Sequence, residues 1–155
     1  MTLRPLDETD LVTLFEIQLD PAAQRMAAFT DATAHDRDAY LAKHRRILAN
    51  NAIVSRAVVL DGDVVGSAAV FPIEGELELT YWIHRDWWGR GVASAAVAAL
   101  LAEVPTRPLH ARVARDNLGS VRVLERTGFV LVGTEDSFAP ARQEVITELL
   151  YTLPE

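Results

Sequence analysis

The sequence contains no cysteine. That absence excludes disulfides, thiolate zinc sites and cysteine nucleophiles together. It also suits a reducing cytosol, the compartment expected for this chain. Positive charge is short as well: 15 Lys and Arg stand against 22 Asp and Glu, a net charge of −7. Nucleic acid needs clustered Lys and Arg on its phosphates, so no nucleic-acid partner is expected. An acidic chain is compatible with attracting amines or basic peptides, and its charge also serves plain solubility. The longest apolar stretch, about Val92 to Ala102, falls short of the roughly 20 residues a membrane span needs. Met1–Pro5 lacks the apolar core of a signal peptide. Neither feature points to a membrane. His35, His44, His84 and His110 show no His-x-His or His-Glu-x-x-His spacing, so no metal site is expected. Repeats, low-complexity tracts and linkers are missing too, and residues 1–155 read as one domain with one core.

What is present is ordered punctuation. Thr2–Leu6 reads as a short strand, and Asp10–Leu19 has helical apolar spacing that Pro21 ends. A short helix over Pro21–Phe29 follows. Thr33 is the expected N-cap of a helix from about Ala34 to Ala49. Ile53–Leu60 and Val64–Ile73 are rich in β-branched residues, and Asp61-Gly62-Asp63 between them signals a hairpin. Glu76–His84 alternates as a third strand. Val92–Glu103 is alanine- and leucine-rich and reads as a helix closed by Pro105. A strand at Leu109–Ala114, a helix at Asn117–Thr127 ended by Gly128, and strands at Val130–Phe138 and Glu144–Leu153 complete the chain. This order predicts an α+β fold with a mixed sheet.

Between the third strand and the alanine-rich helix lies Arg85-Asp86-Trp87-Trp88-Gly89-Arg90-Gly91-Val92-Ala93-Ser94. A strand, a glycine loop and a helix start make an anion site. Glycines let the backbone turn closely, and the amides of the first helical turn have no partner of their own. Arg90 and Arg85 add positive charge suited to phosphate. The same two glycines also read as nothing more than a tight turn. No Lys-Ser or Lys-Thr follows in P-loop spacing, and no third glycine completes a dinucleotide fingerprint.

The segment from Glu78 to Ala93 resembles the acetyl-CoA loop of the GCN-related N-acetyltransferase (GNAT) superfamily, and most of all the branch of bacterial ribosomal-protein N-terminal acetyltransferases. Asn117, Ser120, Leu124 and Gly128-Phe129 resemble that superfamily's second signature, in the expected order and separation. The loop often opens with Gln or Arg where Trp88 stands, and Trp is accepted mainly in the branch named. The resemblance implies a mixed, mostly antiparallel sheet of about seven strands with flanking helices. It implies acetyl-CoA as co-substrate, with its pyrophosphate on the backbone of Trp88, Gly89, Arg90, Gly91, Val92, Ala93 and Ser94. The strand edge at Trp82, Ile83 and His84 would pair with the pantetheine amides, and Asn117 would bond the same arm. Asn117 also reads as an ordinary N-cap. Members are often dimers, so a homodimer is among the assemblies implied.

Acetyl transfer to an amine needs a proton acceptor, stabilisation of the thioester oxygen and relief of the thiolate. Glu78 is the candidate base, by analogy with a Glu in this region of related enzymes. It also reads as the wet face of an antiparallel strand. His84 is a second candidate, because an imidazole exchanges protons near neutrality, or else a surface histidine at a strand end. Many relatives carry a Tyr seven residues after the Asn; here that position is Leu124, which has no proton to give. Ser120 is the remaining candidate to bond the sulfur, or else an ordinary helix residue. Tyr81, Trp82, Trp87 and Trp88 read as an aromatic cluster whose default role is packing. The expected partner is an amine acceptor, a small molecule or a protein N-terminus, contacting the first helices and the turn near Phe138–Gln143. The missing Tyr keeps open a non-catalytic acyl-CoA-binding or regulatory module. A nucleotide-binding α/β domain would need parallel strands throughout, against the hairpin signal.

Overall fold

A computed structural model describes residues 1–155. Its strands are β1 (Thr2–Pro5), β2 (Val54–Leu60), β3 (Asp63–Ile73), β4 (Glu76–Ile83), β5 (Leu109–Ala114), β6 (Val130–Ala139) and β7 (Glu144–Leu153). Its α-helices are α1 (Leu11–Gln18), α2 (Pro21–Ala27), α3 (Arg37–Ala49), α4 (Val92–Glu103) and α5 (Leu118–Arg126). The strands form one sheet in the order β1-β2-β3-β4-β5-β7-β6, an α+β architecture as the element order predicts. The hairpin at Asp61-Gly62 forms because both residues take positive φ, 50° and 84°, matching the twist of the strands they join.

One helix start differs from expectation. Thr33 does not cap a helix; its amide donates to Asp31 within a short 3-10 turn. The helix begins at Arg37 instead, where Asp36 accepts from the Ala39 amide at 3.1 Å. Two aspartates five residues apart each cap a separate turn, and together they divide the segment that Thr33 alone would have joined.

Every strand pair is antiparallel except β4 and β5, which run parallel. That pair meets at a single register position, Glu78 opposite His110, and the strands then part. The sheet is therefore split in its middle, between Thr80–Ile83 and Ala111–Ala114.

Alternation decides what each face carries. Leu79 and Tyr81 of β4 turn toward α4 and α5, where Leu79 joins Val97, Leu100, Leu109, Val113 and Leu124 in the main core. Leu100, Leu109 and Leu124 are all but sealed from solvent, each contributing about 1.5–3 kcal/mol by burial. The opposite face is covered by α1 and α3 through Leu11, Phe15, Tyr40 and Leu41. Arg4 fastens β1 to this layer with two bonds to Asp10, each 2.8 Å, and that bonding holds the Asp10 carboxyl below the usual range. No helix is long and apolar enough to cross a membrane.

Candidate active site

The split in the sheet is the mouth of a cleft of about 520 Å³. Leu79, Tyr81 and Val113 line it from the α4 and α5 face; Thr80, Trp82, Arg112 and Glu148 line it from the other. A cavity walled by side chains of both faces passes through the sheet. The strands' parting leaves backbone groups unpaired along both edges, which is what an extended ligand arm needs. His84 donates its amide to Val65 on β3 at 2.7 Å. Alternation then turns the backbone of Trp82 to β3 as well, and leaves Tyr81 and Ile83 facing the gap. The Ile83 carbonyl there accepts from the Trp88 indole at 2.8 Å.

At one end of the cleft stands the start of α4. Gly89 and Gly91 take φ of 72° and 79°, a region closed to most side chains. Gly91 is the N-cap, and no side chain caps the helix. The first intrahelical bond runs from Ala95 to Gly91 at 3.0 Å, so the amides of Val92, Ala93 and Ser94 precede it. Those three residues, with Trp88, Gly89 and Gly91, line the cleft. Arg90 lies outside its wall, with its guanidinium 5.3 Å from the Trp87 ring centre. Arg85 is paired with Asp20 at 3.3 Å. His84 is outside the wall too, and its Nδ1 accepts from the Asp86 amide at 3.1 Å, capping the turn after β4.

The start of α5 faces α4 across the cleft. Asn117 is its N-cap: Oδ1 accepts from the Ser120 amide at 3.3 Å, and Nδ2 donates to the Met26 carbonyl at 3.4 Å. Ser120 Oγ shares a hydrogen bond of 2.7 Å with the Tyr81 hydroxyl. Burial pushes the Tyr81 hydroxyl up to about 12, against the opposing pull of Ser120. It stays protonated at any physiological pH and so can hold Ser120 in place and donate. Leu124 is in the main core and also lines the cleft, where its alkyl side chain has no proton to give.

The other end of the cleft is built from carboxylates. Glu78 does not line the cleft; its Oε1 accepts from Arg112 Nε at 3.3 Å. Arg112 also donates to Glu135 at 3.2 Å and lies 3.8 Å from Glu148. Glu148 does line the cleft and is 8% exposed. Burial raises its pKa; Arg112 opposes, while Glu135 and Glu78 add to the rise. A second cavity of about 510 Å³ lies under α1 and α3 and shares Phe29, Thr80 and Trp82 with the first.

Two residues of this site escape a reading of sequence motifs. Tyr81 looks like packing, yet its hydroxyl requires a partner once buried. Glu148 sits alone in the apolar run Val145-Ile-Thr-Glu-Leu-Leu150, and a lone carboxylate in such a strand is the signal that marks it.

The family model described as an acetyltransferase (GNAT) domain matches residues 1–130. Among solved structures the fold is similar to ribosomal-protein-alanine N-acetyltransferase from Brucella melitensis, with 22% identity, a TM-score of 0.83 and 100% of both chains covered. It is also similar to a GNAT superfamily phosphinothricin acetyltransferase from Sinorhizobium meliloti in complex with AcCoA, with 18% identity and a TM-score of 0.84 over 99% of this chain and 87% of that one. Mycobacterium smegmatis RimJ in complex with CoA-disulfide gives 21% identity and a TM-score of 0.79 over 98% of this chain and 80% of that one. At such identities the likeness establishes a shared fold. No curated protein sequence matches the chain.

Proposed function

The chain belongs to the acetyltransferase (GNAT) family, and from that premise we propose that it transfers the acetyl group of acetyl-CoA to a primary amine, on a small molecule or a protein N-terminus. The observation that carries the reading is the uncapped start of α4 opening onto a cleft that crosses the sheet. The residues fit the co-substrate. The amides of Val92, Ala93 and Ser94, behind two positive-φ glycines, suit a pyrophosphate. The edge of β4 at Tyr81 suits the pantetheine amides, the Ile83 carbonyl being already bonded to the Trp88 indole, and Asn117 lines the same cleft.

The amine attacks the thioester carbon directly, so no enzyme nucleophile is required. The C–N bond forms as the C–S bond breaks. Ser120, held by Tyr81, is the group suited to donate to the leaving sulfur, which takes over the role a Tyr at position 124 would have played. The ammonium must lose a proton first, and a carboxylate lining the far end of the cleft, Glu148, with Glu78 just behind the wall, stands where a cationic acceptor would arrive. The adjoining cavity shared at Thr80 and Trp82 offers room for the rest of the acceptor. The Tyr81–Ser120 pair favours catalysis over a binding module that has lost its chemistry.

Incubation with acetyl-CoA and a panel of primary amines, with thiol release as the readout, tests the reading. Release that depends on the amine is expected. Tight acetyl-CoA binding with no release for any amine would leave a non-catalytic acyl-CoA-binding module.

A further inference from the structure

We infer that Glu148, and not Glu78, takes the proton from the acceptor ammonium, an inference that rests on the acetyltransfer reading above. Glu148 is the carboxylate that lines the cleft; Glu78 stands off its wall. The Glu78 side chain is engaged by Arg112 Nε at 3.3 Å. Glu148 accepts no hydrogen bond, and its nearest cation, Arg112 Nη1, is 3.8 Å away, beyond hydrogen-bonding distance. A general base needs a free lone pair aimed at the reacting space, and Glu148 meets that condition.

The placement follows from register. On β7, Glu148 stands opposite Ala114 of β5 and Glu135 of β6. Ala114 is small, so the carboxylate is not screened on the β5 side. The charged groups around it come from each neighbouring strand: Glu78 from β4, Arg112 from β5 and Glu135 from β6. Across the cleft α5 contributes Arg122 and Arg126 to the wall. Arg112 is the one arginine within 4 Å of these three carboxylates, and that local excess of negative charge suits an ammonium at the buried member. Burial and the two other glutamates raise the proton affinity of Glu148, which strengthens it as a base.

The step balances. One ammonium proton passes to Glu148, leaving a neutral amine. That amine forms the C–N bond while the C–S bond breaks, and its next proton leaves with the coenzyme A thiol. The Glu148 proton then returns to solvent.

The test compares Glu148→Gln with Glu78→Gln on an amine that the wild type acetylates, following kcat/KM against pH. Glu148→Gln should lose about 10²–10⁴-fold near neutrality. The loss should shrink at alkaline pH, where the amine is already free, while acetyl-CoA affinity is unchanged. Glu148→Asp, which keeps a carboxylate, should recover part of the rate with a similar acidic limb, and it guards against a misfolded glutamine variant. Carbon-13 carboxyl NMR of the wild type should show one glutamate titrating above the ordinary range, missing from Glu148→Gln. A wild-type profile in Glu148→Gln, an alkaline-rescued loss in Glu78→Gln, or a Glu148 resonance that titrates at the ordinary value would each overturn the inference while acetylation itself stands. Failure of the wild type to acetylate any amine would instead remove the proposed function.

Discussion

At the α4 end of the cleft the wall is main chain: three amides, two positive-φ glycines and the open edges of β4 and β5. At the β5–β7 end it is side chain: Arg112 and Glu148 line it, and Glu78 and Glu135 hold Arg112 from outside the wall. Main-chain groups are present whatever the residue, so the first end needs only a conformation. The second end needs charged residues from four strands brought into one register. The first suits a ligand arm with repeated polar groups. The second can be tuned for one acceptor by changing a few side chains.

The largest break in this contrast is Gly91→Asp. Aspartate tolerates the left-handed backbone, so the fold should survive. Losing two charge-assisted bonds of about 1.5 kcal/mol each should weaken acetyl-CoA binding about a hundredfold, read by calorimetry. Acceptor KM should stay put if the two ends are independent.

Tyr81→Phe comes next. It removes the partner of Ser120 without touching either end, and kcat should fall about tenfold, the worth of one hydrogen bond, with acetyl-CoA affinity unchanged. An equal fall in affinity would mean that the pair belongs to the binding end.

Asn117→Asp is finer. The cap is kept, since aspartate caps as well as asparagine, but the amide donor now on Met26 is lost. Acetyl-CoA affinity should drop about fivefold at an unchanged melting temperature. A fall in melting temperature with unchanged affinity would assign the Asn117 amide to its bond with Met26 and not to acetyl-CoA binding.

The smallest effects are shifts at the charged end. Arg112→Gln leaves Glu148 with only influences that raise its pKa, so the acidic limb of kcat/KM should move to higher pH. A carboxyl whose pKa is raised by folding contributes stability that is present in acid and lost as pH rises through its folded value. Glu148→Gln should therefore melt at a higher temperature than wild type at neutral pH, with the difference vanishing near the ordinary glutamate range of about 4. An unchanged melting temperature would show that the carboxylate is better solvated than its place in the cleft suggests.

The two ends also differ in how far the sequence discloses them. Val92–Glu103, Leu109–Ala114 and Glu144–Leu153 are readable to the residue, because each is bounded by glycine, proline or a turn. The α4 loop is readable because the glycines that shape it, Gly89 and Gly91, are only two positions apart in the chain. The start of α3 is not, since Thr33 and Asp36 are both good caps and only the competing 3-10 turn selects between them. Tyr81 and Ser120 lie 39 residues apart, and their contact needs α5 to settle on the β4 face. Glu78 is visible as a carboxylate near the loop, but its engagement by Arg112 depends on where β5 crosses it.

The sequence by itself determined the order of elements, the hairpin and the glycine-built start of α4, because each rests on local backbone preference and on residues close in the chain; the co-substrate came only from the resemblance of two motifs to a family. Only the tertiary structure decided which carboxylate faces the cleft. Glu78, Arg112, Glu135 and Glu148 come from four strands, and a shift of one residue in any register would turn a side chain to the other face of the sheet.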